Sequence, residues 1–171
     1  MLLKLHKRNF KGRRKMDELH KQLLENLSYD PEIGLFIWIK RKARNIKIGD
    51  VAGYKTTKGY IDISFNGKLY KAHRLAWFYL YKKFPIKDLD HINRNPSDNR
   101  INNLREVSSA ENAQNKDVRG YSFSKKSNKW RSAIVVNTKK VNLGCFVTEE
   151  EAHEAYIKAK RKYHPIWSEN V

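Results

Sequence analysis

Asn66-Gly67 sits between two short runs, YIDISF (60–65) and KLYKA (68–72). Both central residues of a tight type I′ turn need positive φ, which Asn and Gly tolerate best. The pair therefore predicts an antiparallel hairpin. Ile61, Ile63 and Phe65 alternate onto one face of its first strand. A buried face of that kind must be covered by something else, and the next residues supply a cover. HRLAWFYLYKKF (73–84) is apolar on nearly every side and stops before Pro85, which predicts a buried helix with Trp77, Phe78 and Tyr79 in the core.

The rest of the chain alternates between the two periods. Leu19, Leu23, Leu24 and Leu27 lie at helical spacing within 16–27, and Asp30-Pro31 ends that pattern. IGLFIWIK (33–40) is dense in β-branched and aromatic residues and predicts a strand. Residues 89–107 predict a short strand, a polar loop and a second short strand. Ser108 and Glu111 then form a capping box that opens a helix and puts Asn112 in its first turns. Polar residues 111–118 bridge to a second unit of three strands and a helix. Thr148 and Glu151 cap that helix, and Ala152, Ala155, Tyr156 and Ala159 form its apolar stripe. The fold class expected is α+β.

The chain has 171 residues, enough for one domain or two small ones. Its 36 Lys and Arg against 18 Asp and Glu give a formal charge of +18. That imbalance points to a polyanionic partner, because each cation meeting a phosphate releases counterions. No apolar run approaches the roughly 20 residues that span a bilayer, so no membrane partner is expected. The first fifteen residues hold seven Lys and Arg, no acid and too short an apolar stretch for a signal peptide. They are expected to be a disordered, solvated tail, a state compatible with a DNA-backbone arm. Cys145 is the one cysteine. It can form no intrachain disulfide and no paired-cysteine zinc site, which fits a reducing cytoplasm and excludes zinc fingers and zinc deaminases. His153-Glu154 lacks the second His of a zinc-protease pair and belongs to a helix surface.

Residues 89–112 carry the chemistry. Hydrolysis of a phosphodiester needs a base near neutral pH and a cation to offset charge on the phosphorane. His91 is suited to the first task, and hard oxygen ligands suit Mg²⁺ for the second. Asp90 and His91 are adjacent, so on a strand they face opposite ways. Asn112 can add an oxygen from the following helix. Asn93, Asn95, Asn99, Asn102 and Asn103 can tie the loop to its own backbone.

The stretch H73-R-L-A-W followed by D90-H-I-N-R-N-P-S-D-N-R-I-N-N-L-R-E-V-S-S-A-E-N112 resembles the HNH endonucleases, in the subgroup of phage homing endonucleases. The resemblance covers roughly residues 28–115. It implies a ββα-metal fold with its core at about 88–116, His91 as general base, and Asp90 and Asn112 as ligands of one divalent metal. Mg²⁺ is the expected ion, with Mn²⁺ an alternative, and no structural zinc or small-molecule cofactor is implied. Asn103 would hold the loop and orient His91, Asn99 would shape the same loop, and His73 would pack or bond beneath it. Asn112 stands where many relatives have His, and Asn93 where many have Asp. Arg74 and Arg105 are left open between phosphate contact and ion pairing.

Residues 118–165 resemble the Apetala2 DNA-binding domain through Arg119-Gly120, Lys129-Trp130, Ala133-Ile134, Leu143-Gly144-x-Phe146 and Glu150-Glu151-Ala152-x-x-Ala155-Tyr156. The resemblance implies a three-stranded antiparallel sheet packed on one helix, with its open face on DNA. By alternation, Trp130, Ser132 and Ile134 should cover the helix with Val141 and Leu143, while Arg131, Ala133 and Val135 share the other face with Lys140 and Asn142. Arg119, Ser122, Ser124, Arg131, Lys139, Lys140 and Asn142 are the expected DNA-contacting residues. Asn142 replaces a family Trp and Val135 a family Arg, so base readout cannot be copied.

The expected organisation is a basic arm and helix (1–27), a nuclease domain (28–115) and a DNA-binding module (118–165). The activity expected is metal-dependent cleavage or nicking of double-stranded DNA, in the role of a free-standing phage homing endonuclease acting in the host cytoplasm. A regulator that binds DNA without cutting it is the competing expectation, and monomer or dimer is left open.

Overall fold

The computed structural model describes residues 2–116 and 118–167, with side chains described from residue 12 onward. Two compact units emerge, Met1–Glu106 and Val107–Val171. The expected nuclease segment, 28–115, therefore runs across the division. Among the described residues no helix is long and apolar enough to cross a membrane.

The amino-terminal unit begins with helix α1 (Leu2–Asn26). This corrects the expected disorder, since the helix starts well before residue 16, while residues 12–15 are exposed. Leu, Lys and Arg are strong helix formers, and a basic composition says nothing against a helix. Leu23 is fully buried and Leu24 is exposed, so the apolar stripe is narrower than its spacing suggested. Leu27, placed with the helix by its spacing, opens strand β1 (Leu27–Asp30) instead. β1 pairs antiparallel with β2 (Leu35–Trp38), Leu27 facing Trp38 and Asp30 facing Leu35.

A three-stranded sheet follows, in the order β3 (Tyr54–Lys55), β4 (Ile61–Phe65), β5 (Lys68–Lys71). Asn66 and Gly67 turn the β4–β5 hairpin at φ 49° and 71°. Ile63 and Phe65 are buried on its core face. Helix α2 (Ala72–Tyr81) covers that face with Ala72, Leu75, Ala76 and Phe78, while Leu80 and Tyr81 stay exposed. α2 ends on Lys82, which is left-handed at φ 56° and returns its N–H to the Phe78 carbonyl. One core unites Leu23, Leu27, Tyr29, Phe36 and Trp38 with Ile63, Phe65, Leu75, Phe78 and Leu104, and Trp77 and Tyr79 pack against its edge. β6 (Asp88–His91) pairs with β7 (Leu104–Val107), joined by a polar loop and a single 3₁₀ turn at Ile101–Asn103.

The carboxy-terminal unit opens with helix α3 (Ser109–Gln114). Ser108 and Glu111 form both bonds of its capping box. Then come β8 (Tyr121–Ser124), β9 (Lys129–Val136) and β10 (Lys139–Phe146) in the antiparallel order β10-β9-β8, and helix α4 (Glu149–Tyr163). Thr148 and Glu151 cap α4 as expected. Tyr156 and Ala159 of α4 pack on Ile134, Val136 and Leu143. Arg119-Gly120 has a packing reason. Gly120 lies at φ 69°, and a Cβ there would sit 2.1 Å from the Tyr156 ring.

Candidate active site

The site is built on the end of β6. Asp90 and His91 are its last two residues, and both are buried, at 8% and 5% exposure. Successive strand residues point to opposite faces, so the carboxylate and the imidazole diverge from one short backbone segment. His91 Nε2 lies 3.2 Å from Asn99 Oδ1. An amide oxygen only accepts, so Nε2 carries the hydrogen and Nδ1 carries the basic lone pair. Burial holds the His91 pKa below its ordinary value, against opposing pulls from the Asn99 bond and from Asp90 and Asp98. The ring is therefore neutral at neutral pH, the form a general base needs.

The loop between the strands is held by its own amides. Asn103 Oδ1 accepts from the Asn93 backbone N–H at 2.9 Å. Asn103 Nδ2 donates to Asn93 Oδ1 at 2.9 Å and to the Asp98 carbonyl at 2.8 Å. Its backbone carbonyl takes the Ile92 N–H at 2.8 Å. One buried side chain thus ties three points of the loop next to His91. Asn93 Nδ2 donates to Asp98 Oδ2 at 2.6 Å, and Arg100 grips the same carboxylate through Nε and Nη2. That guanidinium is the chief reason the Asp98 carboxyl titrates below its usual range.

Two elements of the amino-terminal unit press on this loop. Tyr29 on β1 donates its hydroxyl to the Asn99 carbonyl at 2.7 Å, and burial raises the pKa of that phenol. The turn after β1 brings Gly34 so close that a Cβ would meet Arg100 N at 2.4 Å and the Asn99 carbonyl carbon at 2.6 Å. On the other side, Gly59 abuts the Pro96 ring, and Tyr60 lies 6.0 Å from the His91 ring. His73 on α2 packs its ring edge-on, 5.0 Å from His91, and its buried Nδ1 makes no hydrogen bond. Desolvation, then repulsion from His91, Arg74 and Lys71, pushes the His73 pKa down to about 3. His73 is therefore an uncharged ring at working pH, packed beside His91.

Arg105 on β7 donates Nε and Nη2 to Asp90 Oδ2, at 3.0 and 2.8 Å. Of the two arginines left open by the sequence, this one is an ion-pair partner. Arg74 reaches the Pro85 carbonyl at 3.4 Å. Among the described residues no three His, Cys, Asp or Glu side chains gather to hold a metal. The donor offered here is a carboxylate oxygen, and a hydrated hard cation needs only one or two such groups. Such a donor suits a hydrated divalent cation.

The structure thus brings Asn99, His73 and the loop held by Asn103 together around His91, while Asp90, next to it on β6, pairs with Arg105. Asn112 lies in the other unit, in the second half of α3, with its backbone N–H on the Ser108 carbonyl. Sequence reasoning missed Tyr29, Gly34 and Tyr60. Nothing in their local pattern marks them, because each acts through a contact made by the tertiary fold.

In the carboxy-terminal unit, cross-strand pairing puts Ser122 opposite Arg131, Ser124 opposite Lys129, Asn142 opposite Ala133 and Lys140 opposite Val135. Directly paired residues share a face, so these form the side away from α4. Lys139 pairs with Val136, which packs toward α4. Arg119 also turns to that side, bonded to Glu149 at the start of α4 and stacked 4.8 Å from Tyr121 and 5.4 Å from Trp130. Of the seven expected DNA contacts, five share the open face and two do not.

No curated protein matches the chain, and no solved structure does. The family model described as HNH endonuclease matches residues 70–114, from the end of the β4–β5 hairpin through His73, Asp90, His91, Asn99 and Asn103 to α3, and this segment is therefore similar to nucleases of the HNH family, hydrolases of phosphodiester bonds.

Proposed function

We propose that this chain is a divalent-metal-dependent endonuclease that hydrolyses phosphodiesters of double-stranded DNA, with His91 as general base. The observation that carries this reading is the His91 imidazole, buried, neutral and fixed by Asn99 with its Nδ1 as the basic atom, on a loop that Asn103 locks. A water placed at Nδ1 gives up its proton as its oxygen attacks phosphorus and the P–O bond to the leaving group breaks. Asn99 and Asn103 keep the ring in place, with the rings of His73 and Tyr60 packed 5.0 and 6.0 Å from it. Asp90 is the metal ligand of this unit, and Asn112 is the second ligand on the strength of the resemblance. The ion, when bound, offsets charge on the phosphorane and the leaving oxygen.

The carboxy-terminal unit is proposed as the DNA reader, through Ser122, Ser124, Arg131, Lys140 and Asn142. Its three-stranded sheet on one helix is the architecture that an Apetala2-like domain requires. A nuclease joined to a separate reader suits a homing endonuclease. The test is conversion of supercoiled DNA to nicked or linear product with Mg²⁺ and with EDTA. Metal-dependent conversion supports the reading. Tight binding without conversion in Mg²⁺ or Mn²⁺, on DNA bearing the bound sequence, would replace it with a non-cutting regulator.

A further inference from the structure

The β2–β3 connection is one of the most basic surfaces of the amino-terminal unit, and the proposed chemistry does not use it. Residues 39–49, IKRKARNIKIG, contain five Lys and Arg and no acid. Lys40, Arg41, Arg44 and Lys47 are exposed, while Lys42 folds back onto the Trp38 ring and the Ser64 carbonyl. The connection is framed rather than loose. Trp38 N–H bonds the Asp50 carbonyl at 2.9 Å, Gly49 N–H bonds the Trp38 carbonyl at 2.8 Å, and Ala43 bridges Ile46. Asp50, its first acid, is taken up by the Lys47 backbone N–H at 2.7 Å.

The charge continues at the end of β3 and on the turn into β4, where Lys55 and Lys58 are exposed. This turn touches the catalytic loop. Gly59 leaves no room for a Cβ beside Pro96, and Tyr60, next in sequence, lies 6.0 Å from His91. Among the described residues, the ion pairs Lys71–Asp62, Arg100–Asp98 and Arg105–Asp90 lie elsewhere in the unit.

We infer that Lys40, Arg41, Arg44 and Lys47, continued by Lys55 and Lys58, form a DNA-backbone contact that belongs to the amino-terminal unit itself and leads the scissile strand toward His91. This rests on the reading of DNA as substrate. Its chemistry is phosphate neutralisation by a fixed row of cations, which carries affinity and position without sequence preference. The row makes the cutting unit hold its own substrate, apart from any reader.

The experiment uses the full chain and a duplex DNA probe, with affinity measured by fluorescence anisotropy from 50 to 200 mM salt. The substitutions are Lys55→Gln with Lys58→Gln, and separately Lys40→Gln, Arg41→Gln, Arg44→Gln and Lys47→Gln together. Each lost phosphate contact should lower the slope of log affinity against log salt by about 0.9. For the Lys55/Lys58 pair this amounts to an affinity about tenfold less sensitive to a fourfold rise in salt. Lysine-to-arginine versions at Lys55 and Lys58 should restore the slope, which separates charge from damaged folding. A slope equal to wild type in both Gln variants overturns the inference. So does a fall in slope that the arginine versions do not reverse. Binding is read without cleavage, so failure of the nuclease reading would leave this result interpretable.

Discussion

Asn99 to Ala is the substitution whose consequence the structure defines most closely. The Asn99 side chain is 2% exposed and gives its Oδ1 to His91 Nε2. Its other amide bond, to the Ser97 carbonyl, is long at 3.4 Å, and its backbone carbonyl keeps the Tyr29 hydroxyl whatever the side chain. Ala therefore removes chiefly the acceptor that Asn99 offers to His91. Loss of an acceptor to a buried N–H costs about 1–3 kcal/mol, and the ring lessens that cost by turning or changing tautomer. At 1.4 kcal/mol per tenfold, the productive ring is depleted about 5- to 150-fold. Single-turnover cleavage at saturating DNA should slow by that factor, with DNA affinity unchanged. Asn99→Asp should keep the bond but add a negative charge, which raises the His91 pKa from its depressed position. The acid limb of its rate profile should then move to higher pH, with the rate at pH 6 falling relative to wild type more than the rate at pH 8. An Asn99→Ala rate equal to wild type, or a loss matched by weaker binding, would refute the role given to this contact.

Other consequences are equally concrete. Gly34→Ala forces a Cβ into two backbone atoms at φ 74°, so it should destabilise the unit by about 3 kcal/mol or more, read as a melting-temperature drop of about 2–4 °C per kcal/mol; an unchanged melt would contradict that close approach. His73 is lowered to about 3 in the folded state from its ordinary 6.5, so below pH 6.5 the unfolded chain binds a proton that the folded one refuses. Stability should then fall as pH drops from 6.5 toward 3, and His73→Phe should flatten that dependence in thermal melts. Asp90→Asn should slow cleavage and raise the Mg²⁺ or Mn²⁺ concentration giving half-maximal rate. A metal titration that does not move would remove Asp90 as a ligand.

Local chemistry made much of this fold legible. Asn66-Gly67, Ser108-Glu111 and Thr148-Glu151 each encode a turn or cap within four residues, and each forms as expected. Residue types and their order pointed to one segment, and the structure gathers Asn99 and Asn103 in the loop beside His91, with Asp90 next to it on β6. What was hidden depends on distant contacts. Gly34 matters because it meets Asn99 and Arg100, far along the chain. Arg105 meets Asp90 only because β7 pairs with β6. Composition misled at the amino terminus, where basic residues suggested a disordered tail and good helix formers made a helix instead.

The central claim is that His91 is the base of a phosphodiester hydrolysis. Its most direct test compares wild type and His91→Ala in the same tube of supercoiled DNA with Mg²⁺, alongside anisotropy on the same DNA. A general base is worth about 10²–10⁴ in rate, so the variant should lose cleavage by at least that range's lower end while binding DNA as wild type does. Metal-dependent cleavage that persists in His91→Ala at the wild-type rate would contradict the account.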